Sequence, residues 1–234
     1  MAMKMRKLVA MLMVIILPLG SYLIVENLSK DAVMMPKRYF YDTVVSVTRE
    51  GKTLPDTQWH KVKPFKLTNQ FGKEVSLEDL PGKIIIADFF FTSCPSICPT
   101  LTRNMKRLQD AFVKTDTIVR FVSFTVDPER DSAQRLKAYG DKFSINHDTW
   151  WLLTGTKKEI YDIALNEFKA NIAQEEGVDT GFIHTDKIFL LDKDRVVRGW
   201  YNGLDSNKLD LLIKDVVLLN MERDKKKKRN LFRK

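Results

Sequence analysis

The spacing of apolar and polar residues changes character several times along the chain. Leu8 to Val25 is an 18-residue uncharged stretch, interrupted only by Pro18, Gly20 and Ser21. Glu26 to Lys37 is polar and without period, the pattern of a linker. Tyr39 to Val47 alternates β-branched and aromatic residues with polar ones, which predicts a strand, and Glu50-Gly51-Lys52 then predicts a turn. Phe65-Lys66-Leu67 and Glu74-Val75-Ser76-Leu77 flank Asn69 to Lys73, a predicted hairpin, and Pro81-Gly82 closes the segment. Ile84 to Phe91 is almost wholly apolar, as expected of a strand buried on both faces. Leu101, Met105, Leu108 and Phe112 follow at helical spacing. Ile118 to Val126 predicts a second central strand, and Ser132 to Phe143 a helix with Leu136 and Tyr139 inward. A short strand over Trp150 to Leu153 and a helix over Lys157 to Phe168 come next. Lys187 to Leu191 and Val196 to Tyr201 predict a hairpin around Asp192-Lys193-Asp194. Ser206 to Leu219 is a last amphipathic helix, with Ser206 its expected N-cap.

The order is a hairpin, then a βαβ core, then ββα. It predicts an α/β, thioredoxin-like fold with extra N-terminal β-hairpin strands, preceded by one transmembrane helix. The expected division is a basic segment over 1–7, an anchor over 8–25, a linker over 26–38, the folded domain over 39–221 and a basic tail over 222–234. The uncharged stretch is near the minimum length for a membrane span. Bulky residues around Tyr22 to Val25 offer no small-x-small cleavage site, which favours an uncleaved anchor. Lys4, Arg6 and Lys7 precede it, which favours a cytoplasmic N-terminus and an exported domain. The expected location is therefore the cell inner membrane, single-pass, with the domain on the periplasmic side.

Charge refines this division. The chain carries a net +9, of which residues 1–7 supply three and residues 222–234 supply six, so residues 8–221 are neutral. A nucleic-acid-binding domain carries its positive charge on the fold itself, so that class is excluded. The run Lys225 to Arg229 reads as a solvated tail, with anionic lipid as the alternative contact.

The 234 residues contain two cysteines, Cys94 and Cys98, in Thr92-Ser93-Cys94-Pro95-Ser96-Ile97-Cys98-Pro99. Pro99 suits the first turn of a helix, which places Cys98 at a helix N-terminus and Cys94 in the loop before it. Free N–H groups there favour a thiolate. Such a pair can hold a soft metal, exchange a disulfide or staple a turn. A staple would close so short a loop that it removes little unfolded-state entropy. An oxidising compartment would allow a resting Cys94–Cys98 disulfide.

Of three histidines, His60 and His147 lie in charged or polar surroundings and read as surface residues. His184 lies just before the predicted strand Lys187 to Leu191, and without the fold it reads equally well as a buried, hydrogen-bonded histidine. In a thioredoxin-like fold the loop entering that strand faces the cysteine loop and usually carries a cis-proline, which is missing here. Two thiolates and one imidazole make a soft three-coordinate set that suits Cu(I), and Cu(II) with an added weak ligand. Structural zinc wants a fourth protein ligand, and none is evident.

These residues resemble the Sco/SenC copper proteins that help assemble cytochrome c oxidase. The resemblance runs over Ala87 to Pro99, then Thr125-Val126-Asp127-Pro128-Glu129-Arg130-Asp131, Leu153-Thr154-Gly155, and His184 ahead of Phe189-Leu190-Leu191-Asp192. The family commonly has an aspartate immediately before the histidine, where this chain has Ile183. The resemblance implies copper as cargo, held by Cys94, Cys98 and His184. It implies as partners the copper-containing subunit of cytochrome c oxidase and other copper chaperones. The expected function is a membrane-anchored, non-enzymatic metallochaperone for the dinuclear copper centre. The alternative is a thiol–disulfide reductase acting through Cys94 and Cys98 on the cysteines of an oxidase subunit. For Asp127 to Asp131 the expected role is a strand-to-helix turn with capping and an ion pair, with a role for Asp127 near the cysteines as the alternative.

Overall fold

The computed structural model describes residues 14, 16–24, 34–49, 52–115, 117–170 and 185–231, and nine strands and four α-helices are assigned among the described residues beyond residue 35. In chain order they are β1 (Tyr41–Arg49), β2 (Lys52–Trp59), β3 (Leu67–Asn69), β4 (Glu74–Val75), β5 (Ile84–Phe90), α1 (Cys98–Ala111), β6 (Val119–Thr125), α2 (Ala133–Lys142), β7 (Trp150–Thr154), α3 (Lys157–Asp162), β8 (Lys187–Leu191), β9 (Val197–Asn202) and α4 (Ser206–Leu231). The chain divides into two units, Met1–Met35 and Pro36–Lys234. In the first, residues 16–24 are helical. Among the described residues no helix is long and apolar enough to cross a membrane. The expected span over 8–25 lies partly outside those residues.

In the second unit the strands β4-β3-β7-β6-β5-β8-β9 make one mixed sheet, and β1 and β2 pair separately as an antiparallel ribbon. Strand β5 runs parallel to β6 and antiparallel to β8. That central position explains its almost wholly apolar run. Ile85, Ala87 and Phe89 point to one face, where they meet Phe65, Phe124, Leu153, Ile160, Phe168 and Phe189. Ile84, Ile86 and Phe90 point to the other, against Leu101, Met105 and Leu108 of α1, Leu136 of α2 and Leu212 of α4. A side chain of this size contributes roughly 1.5–3 kcal/mol on full burial. Helices therefore cover both faces, as the βαβ and ββα pattern requires.

Several local expectations change. Residues 53–59 had no predicted element but form β2, with Pro55 opposite Ser46. A two-stranded ribbon consists of edge strands, so it tolerates the missing proline N–H. The predicted helix from Lys157 to Phe168 is α-helical only to Asp162, and Ile163–Glu167 is a wider π turn. Phe168 N–H bonds Ile163 O at 3.0 Å, and its ring packs edge-on to Phe89. Asp205, not Ser206, caps α4, since its Oδ1 accepts from Asn207 N–H at 2.9 Å. Helix α4 also continues to Leu231 through most of the expected basic tail. No glycine or proline follows Leu219 to stop it, and lysine, arginine and glutamate are good helix formers.

Candidate metal centre

The cysteine loop leaves the C-terminal end of β5 and re-enters regular structure at Cys98, the first residue of α1. Ile97 occupies the N-cap and makes no side-chain cap, so the first helical N–H groups have no conventional acceptor. Cys98 N–H instead points at Cys94 Sγ, 3.5 Å away. Ser96 Oγ lies 3.8 Å from the same sulfur. Cys94 N–H bonds Phe91 O at 3.2 Å and turns the loop back on itself. Both thiols are free and buried.

Their environments differ. Burial works against ionising Cys94, but hydrogen bonds from the Cys98 side chain and amide, and from Ser96, outweigh it and hold this thiol below the ordinary value. For Cys98 burial pushes the thiol up, and its hydrogen bond to Cys94 and the charges of Cys94 and Asp88 push it further. The arrangement makes Cys94 the more acidic of the two thiols.

Asp88 was not singled out in the sequence. It lies on the same face of β5 as Ile86 and Phe90, which pack in the layer that holds both cysteines. Burial raises its carboxyl to about 7, against the opposing hydrogen bond from Ser123. Ser123 Oγ donates to Asp88 Oδ1, and Trp150 Nε1 donates to Ser123 Oγ at 2.8 Å. One charged residue inside an apolar strand was the only sequence signal.

Asp127 plays the expected turn role. Its carbonyl accepts from Arg130 and Asp131 N–H at 3.1 and 3.0 Å, and its carboxylate is 3.7 Å from Arg130. Asp131 is more deeply placed than expected, with no exposed surface.

The histidines require a correction. His60 is buried rather than exposed, with Nδ1 2.7 Å from Asp42 Oδ1 and Nε2 3.4 Å from Glu167 Oε2. The hairpin and the π turn close over it. His147 is half-buried, accepting at Nδ1 from Gln70 and facing Asp141 with Nε2, each at 3.0 Å. His184 lies outside the described residues. The chain just after it is described. Ile188 pairs with Asp88 and Leu191 with Ile85, so β8 begins at the end of the sheet from which the cysteine loop leaves. Asn104 Nδ2 of α1 bonds Gly203 O at 2.8 Å, and Gly203 N–H bonds Asp186 O at 2.7 Å, tying that end together. A Cβ at Gly203 would fall 2.2 Å from Leu101 Cδ1 and 2.9 Å from Ile188 Cδ1, so a larger residue there would have to displace these buried side chains. Among the described residues no group of three or more His, Cys, Asp or Glu side chains forms a metal site.

Fold and loop together define a thioredoxin-like α/β protein with two free thiols at a helix N-terminus. The SCO1/SenC family model matches residues 55–216, and the chain belongs to that family. The SCO1 protein homolog of Bacillus subtilis is 40% identical over 167 residues, covering 71% of this chain and 86% of the relative. The structure of BsSco, described as a member of the Sco family of cytochrome c oxidase assembly proteins with a disulfide switch, is 40% identical. It superposes with a TM-score of 0.59 over 69% of this chain and 94% of that one. ScoI of Bradyrhizobium japonicum, solved with copper bound, is 26% identical with a TM-score of 0.53 over 69% and 98% of the two chains.

Proposed function

We propose that this protein is a copper chaperone for assembly of the dinuclear copper centre of cytochrome c oxidase. Copper is cargo, held by Cys94, Cys98 and His184. The observation that carries this reading is the pair of free thiols converging at the start of α1, with Cys98 N–H directed at Cys94 Sγ. The copper-bound relative and the oxidase-assembly description of BsSco support it.

Cys94, the more acidic thiol, meets the ion first. Cys98 then loses its proton as its sulfur coordinates, because the cation offsets the charge that burial opposes. A three-coordinate soft ion leaves room for a thiolate of the oxidase subunit to add before the chaperone's sulfurs depart. Leu8 to Val25 would hold the domain at the inner membrane on the periplasmic side, with residues 26–38 as its tether.

Anaerobic titration of the reduced full chain with copper tests the ligand set. Wild type takes about one ion, and His184→Ala weakens binding by at least ~100-fold, a larger loss than removal of an outer-shell partner. Equal affinity in the variant would remove His184 from the set.

The unequal thiols favour a second reading, in which Cys94 attacks a disulfide of the oxidase subunit and Cys98 resolves the mixed disulfide. The product is a reduced partner and an oxidised Cys94–Cys98 pair. Metal-free protein then reduces an oxidised oxidase fragment, and Cys94→Ser abolishes that reaction.

A further inference from the structure

Asp131 sits between β6 and α2 with no exposed surface. A carboxylate in that position is costly unless it is paired and fully hydrogen-bonded. Its partners meet that demand and converge on one residue. Thr92 N–H and Thr92 Oγ1 donate to it at 3.0 and 2.5 Å. Thr125 Oγ1, at the end of β6, donates at 2.6 Å. Arg135 Nε of α2 is 3.7 Å from the carboxylate and donates to Thr92 Oγ1 at 2.8 Å. Thr92 is two residues before Cys94 and two residues after the last residue of β5.

The loop from 91 to 97 therefore has two fixed ends. Its exit is the first turn of α1. Its entry is held by Asp131, from the turn after the neighbouring strand β6, through both the amide and the hydroxyl of Thr92. Between these two ends Cys98 N–H approaches Cys94 Sγ at 3.5 Å.

We propose that Asp131 is a positioning residue for the thiol pair: through Thr92 it sets where Cys94 Sγ lies relative to the first amide of α1. The inference rests on the reading of Cys94 and Cys98 as the working thiols but does not require copper. Charge and geometry act together here, because a neutral side chain at 131 cannot accept from three donors at once in the same arrangement.

The test uses the metal-free, reduced full chain and reads the thiols directly. Asp131→Asn and Thr92→Val are compared with wild type in two measurements: the rate of Cys94 alkylation by iodoacetamide at pH 7, and the equilibrium of the Cys94–Cys98 pair with glutathione. Both variants should slow alkylation about tenfold and shift the equilibrium toward the disulfide, since the N–H contact stabilises the reduced form. Thr92→Ser retains both hydrogen bonds and should restore wild-type values. If Asp131→Asn does not fold, Thr92→Val decides. Variants that melt earlier yet alkylate and equilibrate like wild type would show that the network serves stability alone and would overturn the proposal. Slower alkylation in a chain that binds no copper would sustain the proposal while refuting the chaperone reading.

Discussion

The two faces of the central sheet are built for different purposes, and β5 serves both. On one face Phe89 meets Phe124, Phe168 and Phe189 at centroid distances of 5.3, 5.5 and 6.0 Å. On the other, the same strand places Asp88 in the layer that holds both thiols, and Thr102 and Tyr139 share a buried hydrogen bond there at 2.8 Å. The first face gains stability from dense aromatic packing. The second gives up some of that gain to keep titratable groups dry. The difference teaches that alternation along one strand can divide stability from chemistry within a few ångströms.

Truncation on the aromatic face should have the largest effect on stability. Phe89→Ala is expected to cost about 3–5 kcal/mol by denaturant unfolding. Its thiol alkylation rate should stay at the wild-type value at temperatures where it remains folded. A change in thiol chemistry equal to that of Asp131→Asn would erase the distinction between the faces.

Asp88→Asn probes the other face. The folded-state carboxyl is raised from 3.8 to about 7, so its protonated form is the one that suits the fold. Its contribution is fully present below pH 3.8 and is lost as pH rises through about 7. The variant should therefore gain stability relative to wild type between pH 5 and 8, by up to a few kcal/mol. Paired melts across that range measure it, and a constant difference would show that Asp88 does not titrate there. The smallest effect should come from Asp205→Ala, which removes only the side-chain cap of α4. It should cost about 1 kcal/mol and leave the alkylation rate and the pH profile untouched.

Much of the fold was legible because the signals are local. The almost wholly apolar run at Ile84 to Phe91, the helical spacing from Leu101 to Phe112 and the position of Pro99 each report an element from within one segment. The cysteine pair was legible for the same reason, since four residues and a helix start define it. Strand β2 was missed because Pro55 and the polar residues around it give no alternation. The π turn was missed because Phe168 and Glu167 take their places from contacts elsewhere in the unit. Glu167 accepts from Lys63 N–H, 104 residues earlier, at 2.8 Å.

The sequence by itself determined the α/β class, the central strands and helices, and the two thiols at the mouth of α1, because periodicity and capping act over a few residues. Only the tertiary structure decided that His60 is enclosed between Asp42 and Glu167, that Asp88 lies in the thiol layer, and that Asp131 holds Thr92. Each of these joins residues far apart in the chain. Burial and hydrogen-bond satisfaction depend on which elements pack together, and no local pattern records that.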